Sequence, residues 1–175
     1  MFKIIAITAV ALIAAVLVLA ASKSDTFRVQ RSATIKAPPE KIFPIINDLH
    51  KWAWWSPWEK MDLDMKRTYS GAQQGTGAAY AWDGNKDVGQ GRMEIVESTP
   101  PSKIVIKLDF VKPFEAHNVA EFTLEPKGGS TTVTWAMRGA NTFMGKVIQV
   151  FMSMDSMIGT QFESGLVNLR TMAEA

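Results

Sequence analysis

The sequence predicts an α+β protein: a curved, seven-stranded antiparallel sheet covered on its apolar face by a long C-terminal helix, with one apolar helix ahead of the domain. Three observations predict it. Between Phe27 and Met137, apolar side chains recur at alternate positions in short runs separated by turn residues, as in half-buried strands. From Phe151 to Leu169 they recur near the helical period instead, at Phe151, Met154, Ile158, Phe162, Leu166 and Leu169. Ile4 to Ala21 carries no charge, and Thr8 is its one polar side chain.

As a helix rising ~1.5 Å per residue, the N-terminal run reaches about 27 Å, close to the hydrocarbon thickness of a bilayer. Two readings compete. Lys3 and the small residues Ala20, Ala21 and Ser22 suit a cleaved signal peptide. The apolar run is longer than the ~7–15 residues such a signal needs, which favours an uncleaved single-pass anchor. The division is then 1–22 anchor, 23–26 polar linker and 27–175 domain. The domain, roughly 150 residues, is large enough to bury a core. An anchor of the signal type places the domain on the extracytoplasmic side. Lys23, Arg28 and Arg31 after the span argue the other way, but Arg28 and Arg31 fall in a strand.

The first strand has Phe27, Val29, Ala33 and Ile35 on one face, broken by Arg31. Pro38-Pro39 ends it and can open a helix, because proline is tolerated in a first turn. Ile42, Phe43, Ile45, Ile46 and Leu49 then take helical spacing, and residues 50–58 read as a further turn or loop. Alternation resumes at Met65, Arg67 and Tyr69, at Ala78, Tyr80 and Trp82 before an Asp83-Gly84 turn, and at Met93 and Ile95. It continues through Ile104, Ile106, Leu108 and Phe110, through Phe122 and Leu124, and through Val133, Trp135 and Met137. Asn141 or Thr142 can cap one long final helix. Gly159 and Gly165 inside it each cost about 1 kcal/mol relative to Ala, which implies a close neighbour or a kink. A bent sheet gripping a helix leaves space between them, a natural ligand cavity.

Composition excludes several classes. With 19 basic and 17 acidic residues, and no basic cluster, the chain lacks a nucleic-acid footprint. It has no cysteine, so disulfides, thiolate metal sites and a cysteine nucleophile are excluded. His50 and His117 stand apart from carboxylates at ligand spacing, so no metal is expected and both read as surface or structural groups. Asp62 and Asp64 read as solvated charges in a polar loop. The glycines of 71–77 suit a bulged hairpin and not a phosphate loop, since no Lys-Ser/Thr follows. No cofactor motif and no Gly-x-Ser-x-Gly elbow is present.

Three stretches carry a resemblance: SATIKAPPEKIFPIINDLHKWAWWSPW (32–58), YSGAQQGTGAAYAWDGNKDVGQGRMEIVES (69–98) and MDSMIGTQFESGLVNLR (154–170). On these the chain resembles the START/polyketide-cyclase superfamily (SRPBCC), in its polyketide cyclase/dehydrase branch. The resemblance implies a helix-grip fold and a hydrophobic ligand such as a lipid, polyketide or isoprenoid-like molecule. It does not establish cyclisation.

The inward set expected to bind that ligand is Trp58, Tyr80 and Trp82; Met93 and Ile95; Ile106, Leu108 and Phe110; Phe122, Trp135 and Met137; and Met154, Ile158 and Phe162. Each could equally be ordinary core. Methionine adapts to varied apolar guests, and Tyr80 and Trp82 bring polar tips that need partners when buried. Trp52, Trp54, Trp55 and Trp58 form either a packed corner or a surface at a cavity mouth or bilayer interface. The expected partners are a hydrophobic small molecule and, through the N-terminal helix, a membrane, with no nucleic acid. An enzyme of cyclase or dehydratase type remains an alternative, its acid or base falling to Tyr80, Arg67, Glu94 or His117. An interaction domain without a ligand is the third.

Overall fold

A computed structural model describes all of residues 1–175. Helix α1 (Phe2–Ala21) leads into β1 (Thr26–Ile35), and then α2 (Pro39–Ile46). A 3-10 turn at Leu49–Lys51, the one-turn helix α3 (Trp52–Trp55) and a second 3-10 turn at Pro57–Lys60 follow. The strands β2 (Lys66–Gly71), β3 (Ala78–Asp83), β4 (Gln90–Thr99), β5 (Lys103–Lys112), β6 (Ala116–Lys127) and β7 (Ser130–Ala140) come next. Helices α4 (Phe143–Phe151) and α5 (Met154–Glu174) end the chain.

All seven strands form one antiparallel sheet in the order β1-β7-β6-β5-β4-β3-β2. Strands β2 to β7 are a plain meander, and β1 returns to pair with β7 along Thr26–Ile35. Strand β1 thus starts one residue earlier than the predicted boundary. A register shift between Ile95 and Glu97 marks a bulge in β4, where an extra residue increases local bending. Between β3 and β4 the connection is a loop, not the expected two-residue turn: Gly84 N–H donates to the Gly89 carbonyl at 2.9 Å, and Asn85 Oδ1 accepts from Asp87 N–H at 2.8 Å. The glycine-rich stretch does form the β2–β3 hairpin connection. Gly71 (φ 77°) presses against the Gly77 carbonyl, so no side chain fits there.

The long final helix of the sequence reading is two helices. Met152 is extended (φ −140°, ψ 133°), and Ser153 Oγ accepts from Ser156 N–H at 3.0 Å, capping a new start. A continuous apolar stripe runs through the break and hides it. The glycines inside α5 mark close approaches. A methyl group on Gly159 would overlap the Arg31 guanidinium, and one on Gly165 would sit 2.7 Å from Trp135 Cζ3. Arg31, which interrupted the apolar face of β1, spans to α5. Its Nη1 and Nη2 donate to Asp155 at 2.8 Å each and its Nε to Glu163 at 2.5 Å. A cation on an inward face is tolerated because two carboxylates of the covering helix meet it.

The tryptophan cluster divides between the readings offered for it. Trp52 and Trp55 are buried, while Trp54 is 64% exposed. Trp55 stands edge-on to Phe122 and Trp135, and Trp135 stacks on Phe162 with centroids 4.1 Å apart. This aromatic wedge joins α3, the sheet and α5.

Candidate ligand cavity

The sheet and α5 do not mesh along their whole length. Beyond the wedge they enclose a cavity of about 540 Å³, and 23 of its 36 lining residues are hydrophobic. That volume falls within the usual range of small-molecule sites. Residues on β3 to β7 form its floor and α4 with the start of α5 its roof. Lys86 and Asp87, Lys112 to Glu115, and Thr142 are lining residues that are also exposed, so they mark the mouth.

Of the inward residues read from the sequence, Trp58, Tyr80, Trp82, Met93, Ile106, Leu108, Phe110, Trp135, Met137, Met154, Ile158 and Phe162 line this cavity. Ile95 and Phe122 do not. Both are fully buried in the core: Phe122 is enclosed by Trp52, Trp55 and Trp135, and Ile95 is wholly covered. Alternation identifies the inward face of a strand but not how far along it the covering layer stands off.

The alternation missed the cavity's polar equipment. Glu59, in the 3-10 turn after Pro57, is buried and lines the cavity. Its Oε2 accepts from Arg67 Nε at 2.7 Å, and its Oε1 accepts from the Tyr80 hydroxyl at 2.7 Å. Arg67 also donates from Nη1 to the Met65 carbonyl at 2.7 Å. A buried carboxylate needs such partners, because stripping one of water without them costs several kcal/mol. Burial, reinforced by the bond to Glu59, pushes the Tyr80 hydroxyl far above its ordinary pKa, so it stays a neutral donor. The bond to Glu59 likewise raises Arg67, which stays charged.

Register places the two strand residues offered as an acid or base, Arg67 and Glu94, on opposite faces. Arg67 pairs with Trp82 and points inward, whereas Glu94 pairs with Ala79 and Lys107 on the outer face. His117, opposite Asp109, is exposed, and its Nδ1 donates to Asp109 Oδ1 at 2.7 Å. His50 is exposed and stacks on Tyr69 with centroids 4.1 Å apart. Neither histidine lines the cavity.

One row of the sheet crosses the floor: Tyr80 faces Met93, Met93 faces Leu108, and Leu108 faces Asn118. Asn118 is buried and lines the cavity, and its Oδ1 has no partner. The Trp135 indole N–H, also on a lining residue, is unpartnered too. Buried orphans of this kind each cost about 1–3 kcal/mol.

The polar linker segment is fastened to the roof. Asn141 N–H donates to the Asp25 carbonyl at 2.7 Å, and Asn141 Nδ2 to the Ser24 carbonyl at 2.9 Å. Lys146 of α4 pairs with Asp25. Helix α1 packs against α4, and α1 is long and apolar enough to cross a membrane.

Comparison with known proteins agrees with this architecture. A family model described as polyketide cyclase / dehydrase and lipid transport matches residues 26–174. No curated protein matches the chain. Among solved structures, protein CV1439 from Chromobacterium violaceum superposes with a TM-score of 0.60 at 15% identity, covering 86% of this chain and 98% of that one. The Aha1 dimer from Colwellia psychrerythraea gives 0.56 at 18% identity, covering 85% and 96%. DynU16, a protein of the dynemicin biosynthetic locus, gives 0.59 at 16% identity, covering 87% of this chain but 48% of its own. Likeness at such identities concerns the fold. The family match covers most of the chain, and the chain belongs to the polyketide cyclase/dehydrase and lipid transport family.

Proposed function

We propose that this protein binds a hydrophobic small molecule, lipid-, polyketide- or isoprenoid-like, between its sheet and its C-terminal helices, and that α1 anchors it as a single-pass membrane protein. The observation that carries this reading is the cavity of about 540 Å³ with its mainly apolar lining. A void lined by apolar side chains forfeits dispersion contacts unless something fills it. Family membership supports the class of ligand. The anchor reading is supported by α1, whose mean hydropathy over the best window is 3.0 with 6% of that window buried in the protein. On this reading the domain lies on the extracytoplasmic side and takes its ligand from, or gives it to, the adjacent bilayer.

The test is to purify the full chain from its own host and identify co-purifying apolar molecules by native mass spectrometry and solvent extraction. A bound apolar molecule is expected. Protein that arrives empty, and then ignores a panel of hydrophobic ligands, overturns the proposal.

A second reading, catalysis of cyclase or dehydratase type, is favoured by one observation: the Glu59 carboxylate lines an apolar cavity beside the Tyr80 hydroxyl. A positioned base and acid are what proton transfer on a polyketide-like substrate requires. Product formation by the wild type, abolished in Glu59→Gln even at ligand concentrations that saturate the variant, would select this reading over carriage alone.

A further inference from the structure

The cavity described above presents a carboxylate to its guest, and this fixes the guest's chemistry. We propose that the ligand is a neutral, mostly apolar molecule bearing a hydroxyl, which donates a hydrogen bond to Glu59. The proposal rests on the cavity-binding reading and names its ligand class.

Glu59 has unfilled hydrogen-bonding capacity. An ionised carboxylate offers about four lone-pair sites. Two are taken, one by Arg67 Nε and one by the Tyr80 hydroxyl. Glu59 lines the cavity, and its remaining acceptor sites are assigned to the guest. The donors of the cluster are not equally offered. The Tyr80 proton is committed to Glu59, and Arg67 is not among the lining residues. The guest therefore meets an acceptor.

That selects among apolar molecules by their polar end. A hydroxyl can donate to Glu59, and hydrogen bonds to charged groups are the stronger kind. An ether or ester of the same shape has no donor to give. A carboxylate guest would bring a second negative charge against Glu59 where little water screens it. The basic side chains among the lining residues, Lys86 and Lys112, are at the exposed mouth, so an acid would be drawn there and not to the Glu59 end.

The test uses the full chain in phosphatidylcholine nanodiscs with three probes of one chain length: dodecan-1-ol, dodecyl methyl ether and dodecanoate. Tryptophan emission reports binding, since Trp58, Trp82 and Trp135 line the cavity. Protein-free nanodiscs correct for partition into lipid. After that correction the wild type should prefer the alcohol over the ether by about tenfold. Glu59→Gln should weaken the alcohol by a similar factor, leave the ether within about twofold and strengthen dodecanoate. Equal wild-type binding of alcohol and ether would overturn this inference while leaving the cavity reading intact, and that comparison needs no variant. Dodecanoate binding as tightly as the alcohol would overturn it too. If none of the three probes binds, the cavity reading falls together with it.

Discussion

Helix α5 meets the sheet in two different ways along its length. Toward its C-terminus, Leu166, Leu169 and Ala173 are fully buried, and Gly165 lets the backbone close on Trp135 and Pro57. Toward its N-terminus, Met154 and Ile158 look across open space at Met137, Leu108 and Asn118. The sheet is continuous through both halves. The difference comes from what stands between the layers. In the closed half the stacked and edge-on rings of Trp52, Trp55, Phe122, Trp135 and Phe162 fill the gap. In the open half the rings of Tyr80, Trp82 and Phe110 meet one another along the sheet, and the helix is held by Arg31 reaching Asp155 and Glu163. The wedge that makes the fold stable at one end therefore keeps its two layers apart at the other.

The largest test of this contrast is Trp55→Ala. Trp55 is wholly buried at the centre of the wedge, and truncation should cost about 3–5 kcal/mol in chemical denaturation. A loss below about 1 kcal/mol would mean that the wedge is not what holds the closed half. Next is Gly165→Ala, whose new methyl meets Trp135 Cζ3 at 2.7 Å. Overpacking should destabilise by about 1–3 kcal/mol, although alanine is the better helix former. Stabilisation would show that the backbone has room to retreat.

In the open half, Met137→Ala should cost less than about 2 kcal/mol, the low end for such truncations, because the side chain already borders a void. Its effect on uptake of an apolar ligand should exceed its effect on stability, the reverse of Trp55→Ala. Equal stability losses at the two positions would erase the distinction between the halves.

The smallest expected effect is electrostatic. The hydrogen bond from Arg31 holds the Asp155 carboxyl below its ordinary pKa of 3.8, so the folded chain keeps this charge to lower pH than the unfolded chain does. The contribution is fully present above that ordinary value. It is lost as pH falls through the lower, folded value. Protection of the amides at the start of α5 against hydrogen exchange, relative to the unfolded chain at the same pH, should therefore fall on acidification below about pH 4. In Arg31→Met that protection should be low already, with the acid dependence gone. Exchange unchanged by the substitution would show that Arg31 does not hold the open half.

Much of this was legible from residue order. The strands from β1 to β7 follow from period-two alternation, and the closing stripe from Met154 to Leu169 gives the covering helix. Gly159 and Gly165 announced close contacts, which proved to be Arg31 and Trp135. The cavity wall was legible to the extent that inward residues can be named. The sequence could not separate Ile95 and Phe122 from their neighbours on the same face, because all share one period and one polarity. Nor did it single out Glu59. That residue lies in a short turn among tryptophans and lysines, with no periodicity to assign it a side. Its partners Arg67 and Tyr80 lie on two different strands that only pairing brings together.

What residue order determined by itself is the list of elements and the face each one buries, because backbone geometry converts a repeat of two or 3.6 directly into a side. It also determined the long uncharged run of α1. The distance between the layers was decided only in the tertiary structure, because it depends on how side chains from distant segments fill the gap. The break between α4 and α5, the fastening of residues 24 and 25 to the roof, and the burial of a carboxylate in a greasy wall belong to the same class. Each arises from contacts between residues far apart in the chain, and a pattern read along one strand or helix carries no record of them.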